Sequence, residues 1–205
     1  MRRSFVARHD GPDFRDGLIV LPLAVHLTDK DVLVIGAGRI GTGKAALLVD
    51  AGARVTMIAR ERLAELPPGL ASFVERDYRD GDLRDFALAV SATGDAAVND
   101  RIVEEARRTN VWLNVVDDPV RSDFYFTAVH RDGDVTVSVS TEGSSPALAQ
   151  ELRSMIAQRL PDNVGDVAAL LRQERADFHD KGLSTEGIDW RTRIRELLGV
   201  GEPAR

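Results

Sequence analysis

Two short stretches carry residues whose types and spacing suit chemistry: Gly36-Ala37-Gly38-Arg39-Ile40-Gly41 and Asp117-Asp118-Pro119. In the first, glycines at positions one, three and six follow the apolar run "DVLVI" and precede "TGKAALLVDAGA". Gly36 permits a tight turn, Gly38 lets backbone approach a pyrophosphate, and Gly41 lets a helix pack closely on a strand. The N–H groups at the start of that helix, those of Arg39 and Ile40 among them, give it a positive end. A dinucleotide is the ligand such a loop accepts. In the second stretch Asp117 closes an apolar run, and parallel sheets gather ligands at such strand ends. Its carboxylate is a candidate proton acceptor. The plainer reading, an aspartate turn before proline, stands beside it.

These groups need a scaffold that brings them to one edge. From Leu18 onward, strand and helix signals alternate. "LIVLPLAVHL" is apolar but broken by Pro22, the mark of an edge strand or a lead-in. "DVLVIGA" is apolar on both faces, as a buried parallel strand is. "TGKAALLVDAGA" reads as a helix with Ala45, Leu48 and Val49 in one stripe and Gly52 as its stop. "RVTMIA", "LASFVERDY", "FALAVSAT" and "VWLNVVDDP" read as further strands, and "AVNDRIVEEARRTN" as the second helix. Such alternation implies an α/β fold with a parallel sheet and right-handed crossovers, a Rossmann-type domain over 18–118.

After Pro119 the rhythm changes. "FYFTAVHRDGDVTVSVST" predicts a β-hairpin around its Asp-Gly, within a segment 119–144. Val135, Val137 and Val139 alternate with Thr136, Ser138 and Ser140, so one face is apolar. A lone hairpin is unstable in water, and this one is expected to serve as a dimerisation segment. Residues 145–205 predict a small C-terminal helical domain of three helices. The first opens with Ser145 as N-cap and Pro146 at the first helical position.

Composition narrows the function classes. The 205-residue chain has 27 basic and 33 acidic residues, a net charge of −6, which argues against a nucleic-acid partner. Without cysteine, disulfides, thiolate metal sites and cysteine nucleophiles are excluded. The four histidines, His9, His26, His130 and His179, show no metal-ligand spacing, so no metal site is expected. No apolar run approaches the ~18 residues of a membrane helix. Residues 1–17 are polar with no apolar signal core, so they read as an N-terminal arm and the cytoplasm as the compartment.

The cofactor's identity stays open at this level. An acidic residue about 20 positions past the glycine loop would hold the ribose of NAD, whereas an arginine there would take the 2′-phosphate of NADP. The second strand ends in Arg60 followed by Glu61, which serves either reading. Thr93 and Asp95 follow the fourth strand, placed to touch the nicotinamide side or to cap the next helix.

With the glycine loop, "VSATGDAAVNDRIV", "NVVDDP" and "STEGSSPALAQELR" in this order, the chain resembles the precorrin-2 dehydrogenase family, some members of which also insert iron. The likeness runs from about Leu18 to Leu160. The family's Asn-Val-Val-Asp is intact at Asn114 to Asp117, and its Gly-x-Ser-Pro at Gly143 to Pro146. The chain departs from the family at Gly43, where arginine is common, at Thr127, where proline is usual, and at Gln150, where a basic residue is common.

The resemblance implies NAD-dependent oxidation of precorrin-2 to sirohydrochlorin in siroheme synthesis, by a homodimer, with Fe²⁺ as a further substrate left open. It implies Asp117 as catalytic residue, and Val115 beside the glycine loop, Arg60, Glu61 and Thr93 at the cofactor. The substrate bears several carboxylates, so Lys44, Arg121, Arg131 and Arg153 become candidate partners, with Asp95 and the helix end opened by Ser145. Two other readings compete. One is a non-catalytic NAD(H)-sensing module, which needs no carboxylate at Asp117. The other is an NADP-dependent reductase of a different small substrate, favoured by Arg60 alone.

Overall fold

The computed structural model describes residues 20–200; the arm expected at 1–17 lies outside the described residues. Five strands, β1 (Asp31–Ile35), β2 (Arg54–Ala59), β3 (Ser72–Glu75), β4 (Leu88–Ser91) and β5 (Trp112–Val115), form one parallel sheet in the order β3-β2-β1-β4-β5. Helices α1 (Arg39–Asp50) and α2 (Ala96–Thr109) make the crossovers after β1 and β4. The chain steps outward from β1 to β3, then returns to place β4 on the other side of β1. This reversal creates a crevice at the carboxyl ends of β1 and β4, where α/β sheets bind ligands.

Burial explains why these runs became strands. Val32, Val34, Val55 and Met57 pack with Ala45 and Leu48 of α1. Leu33 and Ile35 point to the opposite face and pack with Ile102, Val103 and Ala106 of α2. With a helix on each face, alternation is lost and the central strands read as continuous apolar runs. Two expectations are refined. Of the two readings for 18–27, the described residues 20–27 take the lead-in and not the edge strand: Leu21, Leu23 and Val25 are exposed and only Leu27 reaches the core. Pro22 has no N–H to give a ladder, and among the described residues no strand pairs with this segment. Helix α1 begins at Arg39, earlier than the apolar stripe suggested, because Gly38 in an extended conformation already forms the N-cap.

The second part of the chain builds on a hairpin of β6 (Ala128–Asp132) and β7 (Val135–Val139), followed by α3 (Pro146–Ala157), α4 (Val164–Asp180) and α5 (Trp190–Leu198). Ser145 caps α3 as expected, its Oγ accepting from the Leu148 N–H at 3.2 Å. Helix α3 packs on the hairpin, so its valines are half-buried within this chain. The hairpin turn is pinned to α4: Asp132 Oδ2 accepts from the Gly165 N–H at 3.2 Å, and Asp134 pairs with Arg172. A Cβ at Gly165 would stand 2.6 Å from Asp132 Oδ1, so glycine is what lets the turn sit on the helix end.

One buried carboxylate organises the loop between β3 and β4. Glu105 of α2 is 2% exposed and accepts from Tyr78 Oη at 2.5 Å, Gly81 N at 2.9 Å and Leu83 N at 3.0 Å. Burial, with the adjacent Glu105 carboxylate, pushes the Tyr78 hydroxyl well above its ordinary pKa, so it stays a donor. Glu105→Ala leaves three donors without an acceptor and opens a void beneath the loop. It is expected to lower the unfolding free energy by roughly 2–4 kcal/mol in urea titration; a loss below ~0.5 kcal/mol would mean that water replaces the carboxylate at little cost.

Candidate functional site

The glycine loop leaves β1 and enters α1 at the crevice. Gly36 has φ +107°, which an L side chain rarely adopts, and its N–H donates to the Ile58 carbonyl at 2.8 Å. A Cβ on Gly36 would stand 2.6 Å from the Ala92 carbonyl oxygen after β4, and a Cβ on Gly41 would overlap the Gly36 carbonyl. Gly36 and Gly41 are thus required by the packing of β1, β4 and α1 against one another. Gly38 differs, because a Cβ there meets nothing within 4 Å. Open space lies over the start of α1, where the N–H groups of Arg39, Ile40 and Gly41 have no intrahelical acceptor and no side chain caps them. That combination of donors, helix dipole and room fits a pyrophosphate. Thr93 adjoins the loop, and its Oγ1 accepts from the Asp95 N–H at 3.2 Å.

Helix α1 extends from this loop into a second feature, a cavity of about 680 Å³. Ile40, Lys44 and Leu47 line one side at helical spacing, and Asn114 to Pro119 at the end of β5 line another. Tyr125, Phe126, the base of the hairpin, Gly143 and Pro146 complete the wall. The volume suits a large organic ligand, since such sites run from about 300 to 1,000 Å³. Lys44 is the one cation among the lining residues, with Nζ 4.1 Å from the Phe126 ring centroid. Burial pulls the Lys44 pKa below its ordinary value, while the Asp117 carboxylate opposes that shift.

At the end of β5 two adjacent aspartates have separate jobs. Asp118 makes the turn: its Oδ1 accepts from the Arg121 N–H at 3.2 Å and its Oδ2 from Arg121 Nε at 2.5 Å, capping a single 3-10 turn at Pro119–Arg121. Asp117 has φ +61°, a left-handed conformation that aspartate tolerates better than most residues. Among the described residues its carboxylate takes no hydrogen bond, and it lies exposed on the cavity wall.

The structure gathers some of the expected residues and separates others. Gly36, Gly38, Arg39, Ile40, Gly41 and Thr93 meet at the crevice, and Val115 lies nearby at the end of β5, where it, Lys44 and Asp117 line the cavity. Arg60 and Glu61 follow β2 beside the loop, tied in by the Leu63 N–H bonding the Ala37 carbonyl at 3.2 Å. Asp95 caps α2, its Oδ1 accepting from Ala97 N and Val98 N, and is not part of the cavity wall. Arg121 is held by Asp118 and by Asp100 at 2.6 Å. Arg153 donates to Gln150 Oε1 at 2.9 Å, and Arg131 is exposed on β6; neither lines the cavity. Ser145 caps α3 between the lining residues Gly143 and Pro146. The departures Thr127 and Gln150 both lie on the wall, and Gly43 sits on α1 with open space about its Cβ position. Sequence reading passed over the aromatic wall of Tyr125 and Phe126, for which "FYF" in the link between the last parallel strand and the hairpin was the signal. Among the described residues no cluster of three or more His, Asp or Glu suits a metal ion.

Comparison with known proteins agrees with this layout. An NAD(P)-binding family model matches residues 23–128, and one described as sirohaem biosynthesis protein central matches 132–159. A siroheme synthase of Tolumonas auensis is 36% identical over 182 residues, 87% of this chain and 35% of that protein. One from Methylococcus capsulatus is 39% identical over 154 residues, 73% of this chain and 32% of that protein. The chain thus spans about a third of the length of these curated relatives. Among solved structures, SirC, a precorrin-2 dehydrogenase, superposes with a TM-score of 0.64 at 21% identity, covering 88% of both chains, and so shares the fold. The chain belongs to this NAD(P)-binding family, in the form that continues into the sirohaem biosynthesis central segment.

The different surroundings of the glycines give a paired expectation. Gly38→Val should leave circular dichroism and melting temperature near those of the wild type yet weaken dinucleotide binding at least ~10-fold in calorimetric titration. Gly41→Ala, forced against the Gly36 carbonyl, should instead lower the melting temperature. Unchanged affinity in the Gly38 variant would place the phosphates elsewhere.

Proposed function

We propose that this chain oxidises precorrin-2 to sirohydrochlorin with NAD⁺ as hydride acceptor, as a homodimer in the cytoplasm. The free Asp117 carboxylate carries the reading. A polypeptide that needed only a turn at this point has one in Asp118, whereas Asp117 is left on the wall of a cavity that shares α1 with the dinucleotide loop. A module that only senses a nucleotide has no use for such a group. The names of the siroheme synthases and of SirC point to the same chemistry.

The substrate loses two hydrogens, one as hydride to the nicotinamide and one as a proton. When bound, the cofactor supplies the hydride acceptor. Asp117 takes the proton and passes it to solvent, to which it is open. Lys44 pairs with a substrate carboxylate, its stem and ammonium positioned by the Phe126 ring. Ile40, Leu47 and Phe126 offer apolar surface to the flat macrocycle. Asn114, whose Nδ2 donates to the Phe124 carbonyl at 2.9 Å, fixes the aromatic segment against β5.

Asp117→Asn keeps the shape and the tolerance of positive φ while removing the base. It should reduce turnover of enzymatically prepared precorrin-2 by at least ~100-fold, with the NAD⁺ dissociation constant within about twofold of wild type. Retained turnover would return Asp117 to the turn. The same variant is also to be assayed for Fe²⁺ insertion into sirohydrochlorin: joint loss of both reactions would place them in one cleft.

The dimer rests on unpaired surface. The two-stranded hairpin sheet has both edges open among the described residues, and Leu148, Leu152, Met155 and Ile156 leave an exposed apolar stripe on α3. Light scattering is expected to give twice the 22.4 kDa chain mass, and Leu152→Glu to give the monomer. A 22.4 kDa wild-type species at micromolar concentration would contradict the dimer.

A further inference from the structure

Three loops at the carboxyl edge converge beside the glycine loop, and their charges do not balance. Arg60 begins the segment after β2. Its Nε donates to Asp77 Oδ1, and its Nη2 lies 3.7 Å from Asp95 Oδ2. Asp77 follows β3 and Asp95 follows β4, so each carboxylate comes from a different loop. One guanidinium thus faces two carboxylates.

The position matters because of the sheet register. Ile35 pairs with Ile58, and Gly36 donates to the Ile58 carbonyl, so Arg60 stands two residues beyond the entrance to the glycine loop. A dinucleotide with its pyrophosphate on α1 extends its adenosine ribose towards the end of this second strand. An arginine there ordinarily offers its planar fork to a 2′-phosphate. Here the Arg60 Nε is bonded to Asp77 and its Nη2 faces Asp95 as an ion pair. The three-residue group that a 2′-substituent would meet, Arg60 with Asp77 and Asp95, thus carries one more carboxylate than guanidinium.

Asp77 is also firmly placed. The Arg76 N–H donates to the Ala59 carbonyl at 2.8 Å, continuing the ladder, and the Arg76 guanidinium grips Asp82 with two bonds of 2.7 and 2.8 Å. On its other flank Tyr78 is bonded to the buried Glu105. We propose that Asp77, with Asp95 behind it, is the residue pair that sets dinucleotide choice. By occupying Arg60 and presenting carboxylate to the ribose, they favour a free 2′-hydroxyl and turn away a 2′-phosphate. The inference rests on the dinucleotide reading given above and extends it to residues after the third and fourth strands.

The energetics make it testable apart from folding. Arg60 and Asp77 are both about two-thirds exposed, and such a surface pair adds at most about 1 kcal/mol to stability. Removing Asp77 should therefore leave the fold intact and show its effect in binding. Calorimetric titration of the full chain with NAD⁺ and with NADP⁺ gives a ratio of dissociation constants. Wild type is expected to favour NAD⁺. Asp77→Asn should shift the ratio towards NADP⁺ by at least ~5-fold, the size of one lost charge interaction at a surface. Adding Arg60→Ala should cancel the gain in NADP⁺ affinity, showing that it passes through the freed guanidinium. Asp80→Asn, which breaks a comparable exposed pair with Arg101, should leave the ratio unchanged. A wild type that favours NADP⁺, or an Asp77→Asn ratio equal to that of wild type, overturns the proposal while leaving the loop a nucleotide site. Absence of binding by either dinucleotide to the wild type would overturn the underlying reading as well.

Discussion

The carboxyl edge of the sheet depends on a close approach of backbones that side chains would forbid. Gly41 lies against the Gly36 carbonyl, and Gly36 against the carbonyl of Ala92. Through these contacts α1, β1 and β4 meet without an intervening Cβ. The helix can then start immediately after the strand, with its free N–H groups turned towards the crevice instead of being capped by a side chain. A bulkier residue at either position would lift α1 off the sheet. The cavity would go with it, because Ile40, Lys44 and Leu47 reach its wall only through the placement of that helix.

The rest of the edge is held by carboxylates of two kinds. Glu105 is buried and fully engaged by three donors, so its contribution is to fix the conformation of a loop that carries no regular structure. Asp77, Asp95 and Asp118 are more exposed and each holds an arginine. Arg60, Arg76, Arg101 and Arg121 are each committed to aspartates. The net charge of −6 therefore has a local counterpart: most guanidiniums near the edge arrive neutralised. Lys44 stands apart because the carboxylate it senses, Asp117, acts through space without a hydrogen bond to it.

The parallel sheet, the glycine loop and the cap at Ser145 were legible in the sequence because each is a local rule: an apolar run, a spacing, a hydroxyl ahead of proline. Whether 18–27 would be an edge strand or a lead-in stayed open for the same reason, and over the described residues 20–27 it is a lead-in. Its residues are apolar, but pairing is a non-local property and no strand among the described residues pairs with it. The site was legible only in part. Lys44 and Asp117 were found on the cavity wall, and the cap at Asp95 was one of its two readings, whereas the destination of Arg121 was not visible, because an ion pair depends on which loop folds back nearby. Tyr125 and Phe126 were hidden by their place at the head of a predicted hairpin; the strand starts only at Ala128, which frees them to turn into the cavity.

The pair Asp117-Asp118 shows why a motif of two like residues need not be redundant. If β5 continued straight, both carboxylates would project to opposite faces and neither would meet the cavity and the turn together. Instead the Asp118 N–H returns to the Val115 carbonyl at 3.1 Å, closing a turn over Val116 and Asp117 in which Asp117 takes positive φ. That conformation costs most residues about 1–2 kcal/mol, and an aspartate less. The chain accepts the strain at the residue that makes no structural bond, and spends its bonds at the neighbour. Strain of this kind persists only where surrounding structure over-determines it, and here the determinants are Asp118, Ser122 and Arg121, tied through the Ser122 Oγ bonds to Val115 and Asp118. The local fold therefore fixes the Asp117 backbone through its neighbours, while among the described residues its exposed carboxylate takes no hydrogen bond from the chain.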